Sequence, residues 1–250
     1  ITITDYYFCT PTTINVTITD RQSEEKFDVV MNNGDFLHRV GNIGTVALDK
    51  LFKAKDGVTV GTVSVTVEAV NGTSASGTYS NNAIQFNGTG VVKVTITDND
   101  YCIPTVLYLE VVDATNVTGL SGTISGNVVL LNDCGLSSLT VSGRNTVFGN
   151  GFTATYTGNG QYLNNGLKQG VVTVSENGTL DNLRIVAPIY PKAYMYYGST
   201  MLGDYVQGGP SSTEGDKTRY HYQLSAVALS GNGTISNCYI YGGRNNIFVN

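Results

Sequence analysis

The sequence predicts an all-β protein in two parts, a β-sandwich followed by a stack of short repeated strands. Three observations predict it. The chain has 250 residues of which only 13% are charged, where an ordinary globular domain carries about a quarter. Thr, Ser, Asn, Gly and Val take the place of charge, and these residues build pleated strands joined by tight turns. Long runs of helix formers are missing almost everywhere, and two internal repeats of different period divide the chain.

The first repeat sets the boundary of the sandwich. Ile1-Thr-Ile-Thr-Asp-Tyr-Tyr-Phe-Cys9-Thr-Pro-Thr12 recurs as Val94-Thr-Ile-Thr-Asp-Asn-Asp-Tyr-Cys102-Ile-Pro-Thr105, a constant offset of 93 residues that aligns Asp5 with Asp98 and Pro11 with Pro104. A period near 90 is the size of one sandwich rather than of one turn of a stacked repeat. Residues 1–8 are then expected to be the last strand of a preceding copy, and 9–100 one complete module. Its strands are expected at 12–19, 26–32, 46–51, 58–70, 77–86 and 90–98, separated by Asn-Gly, Asp-Gly and Gly-Thr turns. The last of them, Phe86-Asn-Gly-Thr-Gly leading into Val91-Val-Lys-Val-Thr-Ile-Thr-Asp98, resembles the closing strand of tandem immunoglobulin-like repeats in bacterial surface proteins. The strand-like beginning at Ile1 and ending at Asn250 read as cuts through a longer protein.

The second repeat organises the C-terminal part. Val171–Val186 matches Ala226–Tyr241 at an offset of 55, and Leu139–Phe148 matches Tyr239–Phe248 at an offset of 100. The unit is a short strand, an Asn-Gly-Thr turn, a second strand, a Gly-Arg-Asn corner and a third strand. Apolar residues alternate within it: Leu180, Leu183 and Ile185 in one copy, Ile235, Cys238 and Ile240 in the next. Such a unit cannot bury its inner face alone, and stacking makes a continuous core. The pattern resembles the right-handed parallel β-helix of pectate-lyase-like proteins, which implies that fold for 101–250. Spacings of 55 and 100 exceed one plain turn of such a stack, so loops are expected to bulge from one side at 150–169 and, largest, at 187–224.

Charge and composition exclude several classes. A net charge of −5 and a pI near 4.9 leave no clustered Lys and Arg for a phosphate backbone, so nucleic acid is not an expected partner. No stretch approaches the about 18 apolar residues of a membrane span. Cys9, Cys102, Cys134 and Cys238 are too few for a disulfide scaffold and lack metal spacing. A Cys102–Cys134 disulfide and a pair of buried thiols both fit.

The 187–224 insertion gathers the residues that suggest recognition. It holds Tyr190, Tyr194, Tyr196, Tyr197, Tyr205, Tyr220 and Tyr222, and tyrosine supplies a rigid face for a sugar ring with a hydroxyl for its oxygens. Covering and gluing the loop to its support is the other work those rings can do. Lys217, Arg219 and His221 alternate and would share a face on a strand. The β-helix resemblance gives such residues a role as proton-abstracting base in a polysaccharide lyase, often with calcium, or sets them aside for a carboxylate pair in a hydrolase. Their other reading is a solvated polar edge. Asp98-Asn99-Asp100 offers hard oxygen ligands of the kind calcium takes, although the first copy, Asp5-Tyr6-Tyr7, lacks two of them; a hydrogen-bonded turn is the alternative. Arg144 and Arg244 are expected to cap one corner on different turns of the stack. Asn15, Asn71, Asn87, Asn116, Asn177 and Asn232 head Asn-x-Thr sequons, which also serve as turn chemistry.

The leading expectation is an extracellular or cell-surface adhesion-type protein without enzymatic activity. An immunoglobulin-like stalk would present the stacked part, whose loops bind a carbohydrate or surface glycoprotein. An extracellular polysaccharide lyase or glycoside hydrolase is the first alternative, and a self-associating subunit of a surface layer or filament the second. Fold alone does not choose among them.

Overall fold

The computed structural model describes residues 2–3, 12–13, 25–31, 37–98, 103–157, 170–187, 194–197, 200–204, 211–214, 217–220, 225–242 and 247–249; of these, 2–3, 12–13, 194–197, 200–204, 211–214, 217–220 and 248 are described by backbone alone. The described residues are all-β, with one turn of 3-10 helix at Leu48–Lys50. None of them forms a helix long and apolar enough to cross a membrane.

The N-terminal half is built by strict alternation. Gly90–Asp98 turns Val92, Val94, Ile96 and Asp98 inward and Lys93 and Thr95 outward. It lies antiparallel between Val63–Ala69 and Thr105–Val117, whose Leu107, Leu109 and Val111 continue the inner face. A three-stranded antiparallel sheet of Thr45–Ala47, Ala83–Asn87 and Ser76–Ser80 brings Val46, Ile84 and Phe86 to the same core. Phe27–Val29 and Phe52–Ala54 pair beside it and bury both phenylalanines. Side chains as large as Phe86, with no exposed surface, each stabilise the fold by about 1.5–3 kcal/mol.

Two expectations for this half need correction. His38–Ile43 is a strand, where none is expected between 26–32 and 46–51. It pairs in parallel with Thr105–Val117, and Gly41 is required there because a Cβ would sit 2.1 Å from the Ala114 carbonyl oxygen. The stretch expected as one strand over 77–86 is a hairpin, turned at Asn81 and Asn82 with φ of 50° and 58°, the left-handed pair that suits a tight two-residue connection. The 93-residue repeat is kept in backbone register: Thr2 and Ile3 pair with Thr13 and Thr12, as Thr95 and Ile96 pair with Val106 and Thr105.

Past Thr105–Val117 the pairing changes from antiparallel to parallel. That single strand takes Gly90–Asp98 along its first half, while Thr115, Asn116 and Val117 pair in parallel with Val128, Val129 and Leu130. The changeover therefore lies inside a strand, beyond the boundary expected after residue 100. From there the chain visits three parallel sheets in constant cyclic order. The first holds Gly122–Thr123, Leu139–Val141, Gly170–Val174, Ser225–Leu229 and Ile247–Val249. The second adds Val128–Leu130, Thr146–Phe148, Thr179–Asp181 and Thr234–Ser236 to Thr105–Val117. The third holds Cys134–Leu136, Thr153–Tyr156, Arg184–Val186 and Tyr239–Tyr241. Leu130, Val141, Val147, Val172, Leu180, Leu183, Ile185 and Val227 fill the space among them.

Corners make this possible. Between the first and second sheets, the carbonyls of Ser142, Ser175 and Ser230 accept the N–H of Asn145, Gly178 and Gly233 at 3.2, 2.8 and 3.2 Å. Arg144, Glu176 and Asn177 stand at φ of 66°, 50° and 64°, a strained region for a side chain. Between the second and third sheets Asn182 and Asn237 repeat at φ of 52° and 53°; asparagine tolerates that conformation better than most residues.

The 55-residue repeat matches the pairing residue for residue: Val172 beside Val227, Thr179 beside Thr234, Arg184 beside Tyr239. The 100-residue equivalence does not hold, because Leu139 lies in the first sheet and Tyr239 in the third. Arg144 stacks by register with Asn177, and Arg244 lies outside the described residues. Cys134 is a free thiol.

Candidate binding face

One corner collects both long insertions. A plain circuit takes 17–20 residues, as Gly122 beside Leu139, Val128 beside Val147 and Val227 beside Ile247 establish. Leu139 to Val172 takes 33 and Val172 to Val227 takes 55. The excess leaves after the third sheet and returns at the first: after Tyr156 until Gly170, and after Val186 until Ser225. On the circuit before them only Ser137 and Ser138 span this corner.

The sheet that feeds this corner has an exposed outer face. Along it two columns run across successive strands, Thr153–Arg184–Tyr239 and Gly135–Thr155–Val186–Tyr241. Ala154, Ile185 and Ile240 point the other way, into or against the core. Tyr239 and Tyr241 are 54% and 44% exposed. The Arg184 guanidinium lies over the Tyr239 ring, 5.4 Å from its centre, a cation–π contact worth about 0.5–1 kcal/mol at an exposed position. The first sheet offers no such surface near its C-terminal strands, since Ala226, Val227 and Ala228 are all buried.

The insertion supplies two hairpins. Tyr194–Tyr197 pairs with Thr200–Asp204, and Ser211–Glu214 with Lys217–Tyr220. Tyr194, Tyr196 and Tyr197 thus share one strand and Lys217, Arg219 and Tyr220 another. Tyr190, Tyr205, His221 and Tyr222 lie outside the described residues. So do Asn99 and Asp100 of the expected calcium cluster. Asp98 is fully buried within the N-terminal core, where its Oδ2 accepts the Lys26 ammonium at 2.9 Å and the Gly61 N–H at 2.8 Å. No group of three or more His, Cys, Asp or Glu among the described residues is placed to hold a metal.

A second polar cluster escaped sequence reading and joins the two halves. Asp181, the one charged residue of its strand Thr179–Asp181, anchors it. Its Oδ2 takes Arg39 Nη1 at 2.6 Å, and its Oδ1 accepts Ser236 Oγ–H at 2.7 Å and Asn237 Nδ2–H at 2.9 Å. Arg39 also donates to Glu110 at 2.9 Å and lies 4.9 Å from the Phe148 ring centre. Burial alone would push the Asp181 carboxyl up, but the hydrogen bonds from Ser236, Asn237 and Arg39, with the Arg39 charge, hold it below the ordinary carboxylate value. Burial likewise opposes the Arg39 charge, and Glu110 and Asp181 outweigh it. Beside them Asn150, 2% exposed, accepts the Arg39 backbone N–H and donates to the Arg39 and Leu130 carbonyls at 2.9–3.0 Å. No local pattern foretells partners 111 and 142 residues away. Arg184 and Tyr239, by contrast, were readable as outward positions of the 55-residue repeat.

Other chemistry is quiet. Burial pushes the Cys134 and Cys238 thiols up, which keeps them protonated and poor nucleophiles. Asn116 spends its side-chain amide on Gly41, accepting its N–H at 2.7 Å and donating to its carbonyl at 2.9 Å. Among the other sequons, Asn71 and Asn177 sit in left-handed turns. No protein-family model, curated protein or solved structure matches the chain.

Proposed function

We propose that the antiparallel part, up to and including the first half of Thr105–Val117, forms an immunoglobulin-like sandwich and the stacked strands after it a right-handed parallel β-helix, and that together they make an extracellular surface module binding a carbohydrate or glycoprotein. The fold reading is supported by the antiparallel core of the first half and the cyclic, in-register order of the three parallel sheets. One observation carries the functional reading. Both insertions leave the same corner, and the sheet that feeds it exposes Tyr239, Tyr241 and Arg184. Loops on a stiff stacked scaffold are where repeat proteins place recognition, and tyrosine suits the stacking and bonding of sugar rings. The tyrosines of the insertion, Tyr190 to Tyr222, belong to the same ligand. Calcium has no part in this reading, because Asp98 already holds Lys26 and Gly61.

The test is a glycan array probed with three proteins: wild type, Tyr239→Ala/Tyr241→Ala, and a chain whose residues 188–224 are replaced by a two-residue link. Binding by wild type that drops at least about tenfold in both variants, the loss of one or two stacking contacts, is the expected result. Undiminished binding in both would remove the site, and an array without any bound glycan would remove the carbohydrate reading.

A further inference from the structure

We propose that the hairpin of Thr2–Ile3 and Thr12–Thr13 docks on a second antiparallel unit of this same repeat. It completes that unit as Gly90–Asp98 and the first half of Thr105–Val117 complete the one described. The proposal is independent of the ligand reading above.

The first support is what the repeat contains. The 93-residue offset runs on past Thr105, so that residues 12–20 align with 105–113, ending at Asp20 and Asp113. Within this stretch Ile14, Val16 and Ile18 align with Leu107, Leu109 and Val111, all three buried in the antiparallel core. Past Asp20 and Asp113 the likeness stops. One copy leads into the antiparallel unit and the other into the parallel stack. What recurs is therefore a closing strand, a turn and the strand after it, whatever fold comes next. A strand that served the unit following it would have no reason to recur ahead of a stack.

The backbone is the second support. Thr2 and Ile3 pair with Thr13 and Thr12 in the register in which Thr95 and Ile96 pair with Val106 and Thr105. At the second copy the paired strands are flanked by Val63–Ala69 and His38–Ile43, and Val94, Ile96, Leu109 and Val111 have no exposed surface. The first copy is a two-stranded sheet hydrogen-bonded to no other described strand. A lone hairpin of two strands is marginal in water, and adding strands to an open sheet is a recurrent way of joining β-units.

Charge sets the chemistry of the partner. Asp98, at the end of its closing strand, is buried and accepts the Lys26 ammonium at 2.9 Å. Asp5 aligns with Asp98. A carboxylate taken into such a core needs a cation, and Lys26 is already held by Asp98. The cation for Asp5 is the counterpart of Lys26 in a second unit. The surface that fits this hairpin is thus an antiparallel core with an open edge, an apolar inner face and one ammonium.

The experiment compares the full chain with one in which a second copy of residues 20–93 is joined ahead of Ile1. In the extended chain the hairpin follows a unit of its own kind. Asp5→Asn and Ile14→Asp/Val16→Asp are made in both. In the full chain each should leave the thermal transition within about 2 °C of wild type, as changes outside a packed core do. In the extended chain the added unit should resist protease, and either variant should speed its cleavage about a hundredfold through loss of a buried charge partner or of core. That cleavage is read as conversion to a product the size of the original chain. A variant that lowers the full chain's own transition overturns the proposal, because the hairpin then serves the unit after it. An added unit cut equally fast with and without the substitutions overturns it as well.

Discussion

The two halves solve the same problem, covering β-strand backbone, in opposite ways. In the N-terminal half strands reach nine residues in Gly90–Asp98 and thirteen in Thr105–Val117, and alternation along each strand fixes register. One slip would exchange Val92, Val94 and Ile96 with Lys93 and Thr95. In the C-terminal half the repeated strands Thr146–Phe148, Thr179–Asp181 and Arg184–Val186 are three residues each. So short a strand cannot define its own register. Corners define it, through left-handed Asn and Glu residues and glycines that permit one circuit to sit on the last. Gly178 and Gly233 show this directly: a Cβ would fall 2.3 Å from the Val141 oxygen and 2.7 Å from the Val174 oxygen. Stability is a property of long alternating strands in one half and of turn chemistry in the other.

Five substitutions sharpen that contrast, from the largest effect to the smallest. Asp98→Asn takes the carboxylate from the buried Lys26 ammonium and should destabilise the N-terminal core by about 3–5 kcal/mol, measured by denaturant unfolding. Gly178→Ala should cost about 3 kcal/mol through overpacking and lower protection from hydrogen exchange first at 139–181. A change spread evenly over both halves would blur the distinction drawn here.

Asn150→Ala probes the seam. It abandons the Arg39 N–H and two carbonyls, and should cost about 2–3 kcal/mol while separating one melting transition into two. The acid limb tests the same seam. A carboxyl held below its ordinary value binds its proton less readily folded than unfolded. Its stabilising contribution is therefore complete above the unfolded value and fades as pH falls through the folded value. Wild type should lose more thermal stability between neutral pH and the acid limb than Asp181→Asn, and parallel curves would count against the Arg39 pairing. The smallest effect is Glu176→Gly at φ 50°, which should be neutral or stabilising by up to about 1 kcal/mol.

How much of this was legible follows the same division. All-β class, the 93-residue repeat and the 55-residue repeat could be read because each depends on local alternation or on turn residues that recur. Excess spacing has to go somewhere, and the second insertion falls where expected, between Val186 and Ser225, whereas the first, expected over 150–169, begins only after the strand Thr153–Tyr156. His38–Ile43 was unreadable: its partners are supplied by Leu109–Thr115 and the Asn116 side chain, far along the chain. The 100-residue equivalence misled because strands as short as Leu139–Val141 carry little pattern beyond their turns. Of the face proposed to bind, Arg184 and Tyr239 were missed, although the 55-residue repeat aligns them next to the apolar Ile185 and Ile240. That their strand borders the insertions' corner emerges only once the circuits are counted.

Stacking in register at an offset of 55 is the claim on which the face, its columns and its ligand all depend. With the four native cysteines replaced by alanine, Thr179→Cys/Thr234→Cys places two thiols at paired positions of adjacent parallel strands, within reach of a disulfide. Peptide mapping after oxidation should find that bond nearly complete, while Thr179→Cys paired with Asn232→Cys, two residues out of register, should link poorly. Equal or reversed yields would contradict the stacking.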